Sequence, residues 1–263
     1  MLLPTGCFAA DEVSAEQEMS TDRPDFTEST DIVKVGVTQV ETGFVADNHA
    51  LAGASVRTWT APSTLIRTGV TSWLELRADT GGFQHERDVV NHSAATPHAG
   101  FSDIQIEAKF LLARERGLLP ALAVITILTI PTGTAGFSEN GYNPELELCW
   151  SKSLRWGFDA GGNLNVSWNR GDPANSLGQA QSLSVGHRLS AHLRGYWEVY
   201  RVAPIPGDEA AHWIANTGIS RMLGRNAQVD VEAGHSLLAR TPTWFLGAGF
   251  SVRVPASGFL RHH

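Results

Sequence analysis

Ten histidines are the first side chains here that invite a chemical reading: His49, His85, His92, His98, His187, His192, His212, His235, His262 and His263. His85, His92 and His98 share a polar stretch with Glu86 and Asp88, but their irregular spacing suits a solvated loop better than a metal cage. Ser190 and His192 stand two apart, and His192 shares its parity with Arg194 and Glu198, which points it to an interior. A hydrolytic triad would also need an orienting third group, so His192 reads as an interior polar residue and His235 as an interfacial one. HExxH, CxxC, GxSxG and phosphate-binding glycine motifs are absent from the sequence. The two cysteines, Cys7 and Cys149, do not make a disulfide framework. No catalytic residue, metal ligand or cofactor is assigned.

The second chemical pattern is stronger. Arg57, Arg67, Arg77, Lys109, Arg194 and Arg253 alternate with apolar residues, as do Glu41, Glu75, Asp79, Asp103, Glu107, Glu145, Glu147, Asp159, Glu198, Asp230 and Glu232. Burying so many charges in a dry core is prohibitive, so they need water or one another. They are the candidate lumen-lining residues, provided the elements that carry them enclose a polar interior. Whether they line a pore or knit it shut is left open by the pattern.

Those elements are strands. From residue 34 onward the apolar residues recur with period two, and no stretch shows a helical stripe. In 103–112, Ile104, Ile106, Ala108, Phe110 and Leu112 oppose Asp103, Gln105, Glu107 and Lys109; in 244–254, Trp244, Leu246, Ala248, Phe250, Val252 and Val254 oppose Gly249, Ser251 and Arg253. Twelve strands are predicted, at 38–44, 54–70, 74–80, 103–112, 118–130, 144–150, 156–168, 177–188, 191–200, 211–222, 227–237 and 244–254. The apolar run at 118–130 contains Pro120, ends at Pro131 and is rich in Ile, Val and Thr, so it reads as a strand and not as a membrane helix.

Connections alternate in length. Short ones fall at Thr71-Ser72, 114–117, 151–153, 187–190 and 223–225, longer polar ones at 84–100, 131–142, 169–176 and 203–210. Short turns at one end and long loops at the other are the layout of an outer-membrane barrel; a soluble sandwich has no reason for that parity. Trp73, Trp150, Trp156, Trp168 and Trp244 fall near strand ends, where an aromatic girdle sits. Composition agrees: 263 residues, 42% hydrophobic, only 18% charged, with 26 Gly and 8 Trp, and a net charge of −7 that argues against a nucleic-acid partner.

Several segments resemble a known family when taken in order: TDRPDFTES (Thr21–Ser29), VTQVETGF (Val37–Phe44), LIRTGVTSWLELR (Leu65–Arg77), GFSDIQIEAKF (Gly100–Phe110), TIPTG (Thr129–Gly133) and GAGFSVRV (Gly247–Val254). They resemble the bacterial transporter family linked to the meta-pathway of phenol degradation. The resemblance spans about residues 21–254. It implies an outer-membrane β-barrel that passes small molecules, aromatic ones among the candidates. Two departures stand out. Residues 1–10, MLLPTGCFAA, read as a truncated secretory signal with cleavage near Ala9 or Ala10, the alternatives being a lipoprotein site at Cys7 and an ordinary N-terminal tail. Val254 occupies the place where such barrels end on an aromatic residue, and a tail, 255–263, follows it.

The expectation is therefore an all-β protein: a single antiparallel transmembrane β-barrel of about twelve strands over 34–254, preceded by an extended segment at 11–33. It sits in the bacterial outer membrane and is not an enzyme. Its partners are outer-membrane lipid, small-molecule solutes and the barrel-assembly machinery. The alternatives are a closed structural or binding barrel with a salt-bridged interior, a membrane-embedded hydrolase, and a soluble periplasmic sandwich.

Overall fold

The computed structural model describes residues 19–51, 54–90, 93–94, 97–170, 176–205, 212–237 and 243–255. The expected signal segment with Cys7, the tail after Pro255, and His92, His262 and His263 lie outside them.

The strands are β1 (Val37–Leu51), β2 (Ala54–Gly69), β3 (Leu74–Asp79), β4 (Phe83–Val90), β5 (Ser93–Ala94), β6 (His98–Phe101), β7 (Ile104–Ala113), β8 (Ala121–Ile130), β9 (Asn143–Ser153), β10 (Phe158–Asn169), β11 (Ser176–Arg188), β12 (Leu193–Ile205), β13 (His212–Met222), β14 (Ala227–Ser236) and β15 (Thr243–Pro255). Each pairs antiparallel with its neighbours, and β1 pairs with both β2 and β15, which closes the sheet into a barrel. β3 and β4 are one wall strand interrupted at Thr80-Gly81-Gly82, and β6 and β7 another interrupted at Ser102-Asp103, so the wall has twelve strands. Most of these strands are long enough to cross a bilayer, which takes about 9–11 tilted residues.

The expected boundaries needed two corrections. Residues 84–100 were expected as a loop, but β4 and β6 extend the wall through much of that stretch. The cause is legible in β4, QHERD after Phe83: both faces are polar there, so no apolar alternation marks the strand. The 191–200 strand begins at Leu193, which leaves His192 exposed in the preceding turn, at the rim of the lumen and not on a wall strand.

Burial runs opposite to that of a soluble domain. Leu76, Ile106, Leu128, Leu146, Leu164, Leu183, Ile219, Val231, Leu246 and Phe250 are exposed on the outside, while the largest fully buried side chains include Arg67, Lys109, Gln39, Glu41 and Glu75. A lipid-facing surface and a polar interior produce this inversion. Trp73 and Trp156 lie toward the short-turn end, Trp59, Trp168, Trp213 and Trp244 toward the other, all exposed. A small apolar cluster, Ala123, Ile125 and Cys149, is the one dry patch of wall among the described residues.

Candidate functional site: a plugged polar lumen

The barrel is filled by its own N-terminal segment. Residues 19–36 leave the start of β1, where Gly36 N–H donates to Gly69 O at 3.0 Å, and loop up inside the wall. Gly69 permits this closeness, since a Cβ there would lie 2.0 Å from Val33 O. The segment's ends contact the lower lumen, Thr30 at Ser151 and Thr21 at Gln228. Its apex places the Phe26 ring flat on Tyr200 with centroids 4.3 Å apart.

One side of this plug is bound by charge. The Asp22 carboxylate lies 3.1 Å from Arg67, 3.2 Å from Arg77 and 2.9 Å from Lys109. Arg67 also reaches Glu41 at 2.8 Å and Glu75 at 2.8 Å. Arg77 grips Glu28 of the plug with two nitrogens, at 2.7 and 3.0 Å, and Glu107 of β7 at 2.8 Å. The wall carboxylates hold plug backbone as well: Glu41 accepts from the N–H of Asp22 and Arg23 at 3.0 and 3.1 Å, and Glu75 from Val33 N–H at 2.7 Å.

The other side relies mainly on hydrogen bonds to one carboxylate and to hydroxyls, with a single ion pair. Glu198 accepts from Phe26 N–H at 2.9 Å and Thr27 N–H at 2.7 Å, and Thr27 Oγ1 donates to Ser182 at 2.7 Å. Arg23 pairs with Asp230 at 3.4 Å. Its guanidinium lies over Gly43 and Gly249, which face each other across the β1–β15 seam. A Cβ on Gly43 or Gly249 would stand 2.4 or 2.3 Å from an atom of the Arg23 side chain, so only glycine leaves it room. On β9 and β10, Asn165 donates to Glu145 at 2.7 Å and Glu147 at 2.9 Å, and Asn163 donates to Glu147. Among the described residues, Glu145, Glu147 and Glu232 take part in no ion pair.

The candidate residues therefore divide into groups. Arg67, Glu75, Arg77, Glu107 and Lys109 form one buried cluster with the plug. Glu198 faces the interior from across the barrel, Glu145 and Glu147 from β9, two strands beyond β7, and Asp230 and Glu232 from β14, two strands from β1. Asp79 accepts from Gly81 N–H at the strand break. Asp103 ties down a loop, accepting from Gly133 N–H at 2.7 Å and Glu139 N–H at 2.8 Å. Burial works against its charge, yet those bonds outweigh burial and hold its carboxyl below the usual range. Asp159 and Arg194 pair near the short-turn mouth, and Arg253 sits there too, donating to Asn226 at 2.9 Å. Arg57 does not face inward. A register shift between Gly43 and Val45 puts it opposite Asn48, on the outer face and exposed.

The plug residues Asp22, Arg23, Thr27 and Glu28 were not among the expected site residues. The signal was present as a dense run of charge in a segment without periodicity, ahead of a barrel whose interior charges needed partners.

Below the plug a cavity of about 790 Å³ opens toward the short turns, lined in part by Asp31, Arg114, Lys152, His192 and Arg194. The solvent-accessible charges at this end are mostly basic. Lys34, Arg114, Arg116, Lys152 and Arg155 lie on one arc, and Arg188, Arg194, Arg221, Arg225 and Arg253 on the other. Against them stand Asp31, Glu115 and Asp159.

Solved structures share this architecture. An outer-membrane channel from Pseudomonas putida F1 matches with a TM-score of 0.66 at 13% identity, over 86% of this chain and 98% of the other. The translocator domain of the autotransporter NalP from Neisseria meningitidis matches at 0.58 and 12%, over 86% and 91%. The β domain of a Bordetella autotransporter, BrkA, matches at 0.55 and 11%, over 84% and 100%. At such identities the likeness is one of fold, that of outer-membrane β-barrels. No protein of curated function matches in sequence. A family model matches residues 21–254, from the first plug residue that reaches Gln228 to the strand that closes the seam, and by that match the chain belongs to the family described as "Putative MetA-pathway of phenol degradation".

Proposed function

We propose that this outer-membrane barrel is a conduit for small molecules, aromatic compounds among them, with residues 19–36 as its internal plug. The observation that carries the reading is the asymmetric seating of that plug: ion pairs clamp it to the β2–β3–β7 wall, while Glu145 and Glu147 on β9 and Glu232 on β14 stay outside any ion pair. In this reading solutes pass along that less tightly bound part of the wall, where the excess of carboxylates favours cations in a narrow lumen, an effect that fades with salt. The aromatic part of the reading comes from the family, whose description names phenol degradation.

Planar-bilayer recording of the reconstituted chain tests it. Conductance with a cation-selective reversal potential under a salt gradient is expected, together with a larger conductance on deleting residues 19–33. Liposome swelling over a series of neutral aromatic and aliphatic solutes then ranks substrates. The filled lumen also favours a second reading, a closed barrel with a salt-bridged interior. Absence of conductance in both the full chain and the deletion would select that one.

A further inference from the structure

Ten of the chain's 20 Lys and Arg stand solvent-accessible at the short-turn end, where strands of such barrels meet the periplasmic leaflet. Two neighbouring turns there expose apolar side chains well beyond what a turn requires. The turn between β7 and β8 puts out Leu118, 96% exposed, and Leu119; the turn between β9 and β10 puts out Leu154 and Trp156, 86% exposed. Trp156 is held with a left-handed backbone, φ 59°, a conformation that a bulky residue adopts only when its surroundings impose it.

The two turns are fastened into one surface. Lys152 Nζ donates to Gly117 O at 2.7 Å and to the Glu115 carboxylate, and Ser153 N–H donates to Glu115 at 2.9 Å. The bonds from Lys152 and Ser153 push the Glu115 carboxyl down to about 2, so it stays ionised and matched to Lys152. Arg114, Arg116 and Arg155 remain as the patch's excess charge. Arg114 also donates to Ser72 O at 3.0 Å, beside the exposed Trp73. The patch thus continues the outer apolar belt, whose last members on these strands are Leu112 and Trp73.

Trp and Leu beside Arg, at the lower margin of a lipid-facing belt, is the composition that enters the headgroup boundary while the guanidinium reaches phosphate. We propose that these two turns bind anionic phospholipid of the periplasmic leaflet, with Leu118, Leu119 and Trp156 in the headgroup–acyl boundary and Arg116 and Arg155 on the lipid phosphates. The proposal holds whether or not the barrel conducts.

The test uses the full chain in vesicles of phosphatidylcholine, alone or mixed with phosphatidylglycerol. Nitroxide labels go on Leu118→Cys or Trp156→Cys, in a Cys7→Ser, Cys149→Ala background. With phosphatidylglycerol present, both labels should collide with oxygen and be shielded from a water-soluble nickel chelate. In phosphatidylcholine, or in high salt, the shielding should weaken. Phosphatidylglycerol retained by the purified barrel should fall about fivefold for each of Arg116→Gln and Arg155→Gln, the weight of one basic side chain at an anionic surface. Nickel access in both vesicle types would overturn the proposal and leave the turns in water, as a surface for a soluble acidic partner. Equal shielding in both types would overturn the preference for anionic lipid. If the labelled background fails to assemble, quenching of the native chain by brominated phosphatidylglycerol, less that of Trp156→Phe, reads the same contact with the cysteines intact; no difference would overturn it equally.

Discussion

Where the plug meets β2, β3 and β7 it meets a cluster of opposite charge; where it meets β11, β12 and β14 it meets hydroxyls and an amide that bond its side chains, Glu198, which takes two of its backbone N–H groups, and a single ion pair, Arg23 with Asp230. On the first wall Arg67 and Arg77 are each shared between plug and wall acids, and Lys109 is shared between the plug acids Asp22 and Glu28. No member of that cluster can leave without stranding others in a buried place. On the second wall Glu198 and Asp230 are buried as well, but each holds its own stretch of the plug, Phe26–Thr27 or Arg23, so these contacts can be broken one at a time. The first wall is therefore expected to act as a hinge, and the second to be where the plug lets go.

The sharpest way to break this comparison is Arg67→Met. It leaves Asp22, Glu41 and Glu75 facing one another without their shared cation, and removing one partner of a buried pair costs about 3–5 kcal/mol. The compact band of the folded barrel on unheated gels should largely disappear. Normal assembly would mean that the charged wall is no more demanding than the other.

Gly43→Val comes next. Its side chain claims the space of the Arg23 guanidinium, the far end of a flexible side chain that can swing aside, so the cost falls on the Arg23–Asp230 pair and not on the wall. Because Arg23 pairs on the second wall, the expected result is an assembled barrel with raised conductance. A barrel that fails to assemble would show that the seam, and not the plug, feels the change.

Glu198→Gln is milder. It keeps an acceptor near Phe26 and Thr27 but removes the charge that strengthens both bonds, a loss of about 1 kcal/mol. Amide exchange at Phe26 and Thr27 should quicken about fivefold, while exchange at Asp22 and Val33 stays as it was. Uniform acceleration along the plug would contradict a hinge on the first wall. The smallest effect on stability belongs to Glu145→Gln with Glu147→Gln, where assembly should not change and only the cation preference in the reversal potential should drop. Anion preference in the unaltered chain would remove these residues from the path.

The barrel was legible because lipid outside and polar groups inside impose period two on every membrane-crossing strand, as in Ile104–Leu112 against Gln105–Lys109. That signal fades where the wall rises out of the bilayer: β4 carries His85, Glu86, Arg87 and Asp88 in succession and reads as loop. The plug was hidden for a related reason. Thr21–Ser29 has no repeating geometry, so nothing in its pattern says that Asp22 meets Lys109, 87 residues away. Arg57 was misplaced by one register shift, which inverts every side chain beyond it. Half of the site was thus readable as parity, and the remainder depended on contacts that no local pattern encodes.

The glycine niche for Arg23 has a bearing on how the molecule comes together. Its two halves, Gly43 and Gly249, belong to the first and last wall strands and become neighbours only when the ring is complete. Arg23 to Asp230 and Thr21 to Gln228 each join residues 207 apart in sequence. Contacts so distant carry the largest loop-closure cost and form late. The plug residues therefore wait for the last strand before they have a place to dock. The N-terminal segment is threaded through a loop that its own chain completes around it, and Arg23 acts as the latch that registers completion.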